Sequence, residues 1–360
     1  MAQLNRNQKT RVVVLFGGES AEHDVSCVTA AHVLRALDAE KYSVTTIGIT
    51  RHGEWIHAEL PPSPDVDSLQ VKGVATNSDV VLKKLGDETQ LVVFPLLHGP
   101  MGEDGTVQGM LELAHVAYVG SGVLGSAVAM DKGVAKQIMA ANGIDQQKFL
   151  VARASDDHQQ LVDRALKDFG LPLFVKPANM GSSIGVQKAK SREEVLAALQ
   201  LALEYDEWAL IEEAIVGREI EVAVLGNESP RASLPGEIVP SHEFYDYEDK
   251  YLVDGAKLLV PAPLSAKETE QVQQLALRIY KVLRAEGMAR VDFFYEEKRR
   301  NGDAGRGFLC NEINTIPGFT PISMYPKLWQ ASGLSYPQLL DELISLALAR
   351  QTKRRNKTTR

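Results

Sequence analysis

Hydrophobic and polar positions fall into alternating blocks over the first third of the chain. Arg11–Phe16 is a short run rich in Val and Leu, the pattern of a buried parallel strand. Gly17-Gly18 turns it, and apolar residues at 25, 28, 33, 34 and 37 predict a helix to about Leu37, capped by Ser20 or Asp24. Ser43–Ile49 and Leu91–Leu97 read as further strands, the latter ending in the loop HGPMGEDG. A helix over Val107–Ala114 and a short strand over Ala117–Val119 follow, whereas Leu60–Asn77 has no clear period and reads as a surface excursion. Strands alternating with helices imply a parallel sheet, whose ligands sit beyond the carboxyl ends of the strands.

The period changes after the small-residue run Gly120–Ala129, which leads into a helix holding Met130, Asp131 and Lys132. Leu171–Lys176 is a strand, ANMGSSIG a loop, and Val186 onward the returning strand. Ser191–Tyr205 is an amphipathic helix, Ala209–Glu213 a strand, and EIEVAVL (Glu219–Leu225) a strand of period two. A long polar loop (Ser241–Gly255), a helix over Lys267–Glu286, the strands Ala289–Tyr295 and Gly307–Asn314, and a helical end to Arg350 complete the chain. The expected class is therefore α/β and α+β. The expected units are a Rossmann-like parallel-sheet domain over 1–129, a central domain over 130–226 and a C-terminal domain over 227–360.

Composition narrows the function. The 360 residues carry a formal charge of −8, which argues against nucleic acid as the main partner. Two cysteines, Cys27 and Cys310, exclude a disulfide framework and a cysteine-rich zinc site. There is no apolar run of membrane-spanning length and no apolar signal core near the start. The basic tail KRRNKTTR reads as a frayed, solvated end.

Three constellations carry chemistry. In ARVDFF, Arg290 and Asp292 share one strand face; in CNEIN, Glu312 and Asn314 do the same. If the two strands pair antiparallel, Asp292, Glu312 and Asn314 converge as hard oxygen donors beside an arginine, a set suited to Mg²⁺ and nucleotide phosphates. The plain alternative is a salt-bridged polar sheet face. In LPLFVKPANMGSSIGV, Lys176 ends an apolar strand, where its charge needs a partner. The Gly181-Ser182-Ser183 loop offers backbone N–H groups and hydroxyls to a triphosphate; the alternative is an ordinary hairpin with an edge lysine. In GGESAEHDVS, Glu22 is placed to hold a ligand ammonium, and Glu22 or Asp24 equally suits a helix N-terminus. His23 and His98 are loop histidines open to acid–base or supporting roles. Neither GxxxxGK[ST] nor HExxH occurs in the chain.

Together, GGESAEHDVS, LLHGPMGEDGTVQGMLE, AMDK, LPLFVKPANMGSSIGV, GREIEVAVLG, FYDYEDKYL, GMARVDFF and NEINTIPGFTPISMYPKLWQASG resemble the D-alanine–D-alanine ligases, ATP-grasp enzymes, over about residues 11–350. The resemblance implies three domains, with ATP gripped between the second and third, and a homodimer in the bacterial cytoplasm serving peptidoglycan precursor synthesis. It implies that Lys132 and Lys176 contact the α- and β-phosphates and that Ser183 covers the γ-phosphate. Glu212 and the Glu213–Ile215 backbone would receive adenine, and Glu219 the ribose. Asp292, Glu312 and Asn314 would hold two Mg²⁺ ions, with Mn²⁺ as a substitute. Arg290 and the Gly318 N–H would stabilise the tetrahedral oxyanion. Glu22 would hold the first D-alanine's ammonium, with His98 as a further substrate contact or loop support. Lys250 and Ser323 would bind the second D-alanine's carboxylate, and Lys250 would also face the nucleotide. Glu22, Ser182 and Tyr251 would latch the 241–255 segment as a lid. Asp24 and Met180 depart from the family pattern. Relatives that accept D-lactate or D-serine as second substrate differ near Lys250-Tyr251.

Overall fold

A computed structural model describes residues 9–61, 66–78, 81, 90–240, 257–320 and 322–356. The first sheet has strand order β4-β3-β2-β1-β5-β6. Its strands are β1 (Thr10–Gly17), β2 (Tyr42–Ile49), β3 (Trp55–Ala58), β4 (Gly73–Thr76), β5 (Leu91–Pro95) and β6 (Ala117–Tyr118). β1 runs parallel to β2 and β5, and β5 parallel to β6; β3 and β4 are an antiparallel extension. Val12–Phe16 is buried on both faces, which is why β1 reads as a continuous apolar run. Helices α1 (His23–Ala36) and α2 (Thr106–Leu113) accompany this sheet.

Two features of the amino-terminal unit differ from expectation. The supposed excursion contains β4, which escapes periodicity because its residues are mostly exposed on both faces. Neither Ser20 nor Asp24 caps α1. Glu22 holds the cap position without a side-chain cap bond; Ser20 Oγ donates to His98 O, and Asp24 pairs with Arg51.

Helices α3 (Val123–Met130) and α4 (Lys132–Ala141) replace the single helix expected there; Asp131 breaks it and caps α4 through the Val134 N–H. The second sheet, β7-β10-β8-β9, is antiparallel throughout. It comprises β7 (Phe149–Arg153), β8 (Leu173–Pro177), β9 (Gln187–Ala189) and β10 (Trp208–Glu213). Helices α5 (His158–Phe169) and α6 (Arg192–Tyr205) cover it, and Val162, Val175, Val195, Leu199 and Ile211 form its buried seam.

The third sheet follows the order β14-β13-β11-β15-β16, with β12 beside β11. Its strands are β11 (Arg218–Gly226), β12 (Arg231–Ala232), β13 (Gly236–Val239), β14 (Lys257–Leu259), β15 (Gly287–Lys298) and β16 (Ala304–Asn314). Sheet membership therefore changes in the connector 214–217, ahead of the boundary expected near 226, because β11 pairs with β13 and β15 rather than with β10. Helix α7 (Ala266–Val282) packs on this sheet, its start fixed by a Ser265/Glu268 capping box. Helix α8 (Met324–Ala331) packs on β11, and helix α9 (Tyr336–Asn356) returns to the first sheet beside β5 and β6. Phe94, Phe319, Tyr325, Leu339 and Leu343 lie in one continuous core, so first and last segments are packed together.

Candidate active site

The antiparallel pairing of β15 with β16 sets Asp292 opposite Glu312 and Arg290 opposite Asn314. The same register continues into β11, where Glu221 lies opposite Asp292. Arg290 makes a two-pronged bond to Asp292, both contacts 2.8 Å, and its Nε is 3.1 Å from Glu221. Burial opposes a charge on Arg290, but Asp292 and Glu221 outweigh it and raise the guanidinium well above its usual range. The strand register slips between Asp292 and Phe293, leaving Asn311 without a partner residue. Such a bulge re-aims side chains: Asn311 and Glu312, although adjacent, both line the cleft. Among the described residues no three His, Cys, Asp or Glu side chains cluster as a ready-made metal cage. Two carboxylates and an amide nevertheless fit Mg²⁺, which takes few protein ligands and completes its shell with water and phosphate oxygens. Asn314 Oδ1 accepts from the Ile316 N–H.

The second sheet supplies the positive charge. Lys176 is buried at the end of β8 and lies 2.8 Å from Glu212 on β10. Lys136, one turn after Lys132 on α4, approaches the other Glu212 oxygen at 3.1 Å. Burial alone would push the Glu212 carboxyl up; the two lysines outweigh it and hold it down at about 2. Lys132 donates to Met180 O at 2.8 Å and stands 3.8 Å from Glu312, so it joins the lysine cluster to the acidic row. Burial lowers the Lys132 pKa, partly offset by Glu312.

The loop after β8 carries the third part. Ser182 and Ser183 both hold positive φ, +48° and +59°, a strained conformation typical of functional loops. Ser182 Oγ donates to Glu22 Oε1, so the loop is tied to the start of α1. A side chain at Gly181 would start 2.5 Å from Glu22 Oε2, so a larger residue there would displace the Glu22 carboxylate.

His98 is buried with both ring nitrogens engaged, Nε2 with Thr29 Oγ1 at 3.3 Å and Nδ1 with Ile316 O at 3.1 Å. Burial lowers its pKa. Glu103 accepts from the Gly99 and Ile316 N–H groups. Burial, then the Glu22 charge, pushes its carboxyl up to about 8. Both backbone groups of Ile316 are thus held by the loop following β5. This geometry favours loop support over substrate contact for His98.

These parts meet at a cleft of about 520 Å³ between the second and third sheets. Lys132, Lys176, Ser182, Ser183, Glu212, Glu213, Ile215, Glu219, Arg290, Asp292 and Glu312 all line it. Asn314 follows at the end of β16. Gly318 lies against Ser323, whose Oγ bonds Thr320 instead of capping α8. Lys250, Tyr251 and the 241–255 segment lie outside the described residues. Sequence reasoning missed Glu221, Lys136, Gln147, Glu103 and Phe174. The period of EIEVAVL and the four-residue step from Lys132 to Lys136 were the available signals for two of them.

The chain is similar to known proteins over most of its length. The family model for the D-ala D-ala ligase N-terminus matches residues 11–121, and that for the D-ala D-ala ligase C-terminus matches residues 138–345. The D-alanine–D-alanine ligase of Natranaerobius thermophilus is 45% identical, covering 98% of both chains. That of Geobacillus kaustophilus is 46% identical, covering 97% of this chain and 98% of the relative. The solved D-alanine-D-alanine ligase of Coxiella burnetii superposes with a TM-score of 0.80 at 37% identity, covering 97% of this chain and 96% of that one. The VanG D-Ala:D-Ser ligase of Enterococcus faecalis does so with a TM-score of 0.79 at 35% identity, covering 94% and 100%. Matched along nearly its whole length by both family models and by these relatives, the chain belongs to the D-alanine–D-alanine ligase family.

Proposed function

We propose that this protein joins two D-alanine molecules into D-alanyl-D-alanine at the expense of ATP, for peptidoglycan precursor synthesis. In the first step a carboxylate oxygen of one D-alanine bonds to the γ-phosphorus as the bond to the β-phosphate oxygen breaks, giving an acyl phosphate and ADP. In the second, the amine of another D-alanine attacks the acyl carbon. The C–O bond then breaks, phosphate leaves with the original carboxylate oxygen, and the amine gives up a proton.

Phosphoryl transfer asks the protein mainly for position and charge. Lys132 and Lys176 receive the α- and β-phosphates, and the Ser182-Ser183 loop covers the γ-phosphate. Glu212–Ile215 takes the adenine and Glu219 the ribose. Asp292, Glu312 and Asn314 are the residues that would hold Mg²⁺, with Mn²⁺ as a substitute. Bound there, the ions supply charge neutralisation of the phosphates. Arg290 and the Gly318 N–H stabilise the oxyanion of the second step. Glu22, beside Ser182, holds the first ammonium; Ser323 and Lys250 hold the second carboxylate. Tyr251 with the 241–255 segment closes the site against water, which would otherwise hydrolyse the acyl phosphate. A cytoplasmic homodimer is the setting the family implies; no described helix is long and apolar enough to cross a membrane.

One observation carries the reading: an acidic pair, Asp292 and Glu312, faces a cleft that also receives Lys132 and Lys176. A second reading keeps the first substrate but accepts D-serine or D-lactate as the second, and the likeness to the VanG ligase favours naming it. ATP turnover with D-alanine, D-serine, D-lactate and L-alanine side by side, with products weighed by mass spectrometry, separates them. Turnover with D-alanine alone, yielding the dipeptide, is expected; no turnover with D-alanine would overturn the proposal.

A further inference from the structure

Gln147 is 2% exposed, yet it lines the cleft. Its Nε2 donates to Glu212 Oε2 at 3.3 Å and to Asn311 Oδ1 at 3.0 Å, while its Oε1 is buried with no hydrogen-bond partner among the described residues. A carboxylate only accepts, so Glu212 fixes which end of the amide faces it. Turning the amide over would set oxygen against oxygen. Both Glu212 oxygens also lie close to lysine ammonium groups. The Gln147 carbonyl is thus a fixed acceptor left waiting for a donor, a state that is costly unless a ligand completes it.

The position points to the nucleobase. Gln147 leads directly into β7, and the Glu213 N–H donates to the next residue's carbonyl, Lys148 O. Gln147 is therefore hung on the strand that continues into the 214–217 connector. That connector and the aromatic side chain of Phe174 line the same cleft, giving a flat ring backbone polar groups and an apolar face to lie against.

We propose that Gln147 determines nucleotide specificity: its Oε1 accepts a hydrogen bond from the exocyclic amine of adenine, and it rejects purines that carry an oxygen or a hydrogen there. This rests on the reading that the cleft binds ATP. Inosine triphosphate would set its oxygen against the Gln147 carbonyl, and purine riboside triphosphate would leave that carbonyl unpaired.

The test compares kcat/KM for ATP, inosine triphosphate and purine riboside triphosphate in the wild type, in Gln147→Met and in the smaller Gln147→Ala. The wild type should prefer ATP over purine riboside triphosphate by at least about tenfold. Both variants should lose that preference through the KM for ATP, with kcat at saturation within about twofold of wild type and purine riboside triphosphate used as before. A wild type that uses the two nucleotides equally overturns the role, even if neither variant folds. A preference retained in either folded variant does so as well. Calorimetry with ADP on the wild type keeps the two claims apart. Absence of binding refutes the nucleotide reading of the cleft, whereas binding with an unchanged preference refutes only the role of Gln147.

Discussion

Replacing Glu212 by glutamine tests the electrostatic centre of the cleft. The change removes the negative charge between Lys136 and Lys176, 3.1 and 2.8 Å away, and leaves two buried ammonium groups facing each other. The lysines hold the Glu212 carboxyl at about 2, against 4.5 for an ordinary glutamate. At ~1.4 kcal/mol per pH unit, that difference corresponds to about 3 kcal/mol of folding stability at neutral pH. Removing one partner of a buried ion pair costs about 3–5 kcal/mol, the same order. A carboxyl lowered on folding stabilises above its unfolded pKa, and that stability drains away as pH falls through its folded value. The gap between wild type and Glu212→Gln should therefore be full at pH 7 and smaller by about 1 kcal/mol at pH 3.5. Urea unfolding at the two pH values, followed by circular dichroism, reads it. A gap below about 1 kcal/mol at pH 7, or one equal at both pH values, would refute the reasoning.

Other expectations are equally direct. Asp292→Asn and Glu312→Gln should each lower kcat at least about 100-fold, judged by the cost of losing one charge-stabilising group at a reacting centre, with circular dichroism unchanged; near-normal turnover removes the metal assignment. Ser182→Ala breaks the tie to Glu22 and should raise KM for D-alanine several-fold, which initial-rate kinetics over D-alanine concentration will show. Glu103 has its carboxyl raised to about 8, so the stability its proton secures is present below about 4.5 and lost as pH rises through about 8. Melting temperatures between pH 6 and 9 should accordingly fall more steeply for wild type than for Glu103→Gln, and parallel curves would contradict this.

Much of the fold was legible because buried runs and period-two strands leave strong signals. Val12–Phe16 and Val222–Leu225 are fully buried or nearly so, and their strands were placed within a residue or two. β4 was not legible, since an exposed edge strand has no apolar face to reveal it. The facing of Asp292 and Glu312 could be anticipated from strand parity once antiparallel pairing was assumed. The period of EIEVAVL sets Glu221 on one face with Glu219, but its place opposite Asp292 depends on the pairing of β11 with β15, which no local pattern announces. The slip that turns Asn311 towards Gln147 could not be anticipated either, since a bulge adds a residue without changing local composition. His98 shows the limit of residue type as a guide: a histidine in a glycine-rich loop suggests acid–base work, and here its ring bridges Thr29 and Ile316.

The central claim is that the cleft makes an acyl phosphate, and the fate of one oxygen tests it. D-alanine labelled with ¹⁸O in its carboxylate, turned over with unlabelled ATP in ordinary water, should yield inorganic phosphate carrying one ¹⁸O for each dipeptide formed. Unlabelled phosphate accompanying dipeptide formation would contradict the account.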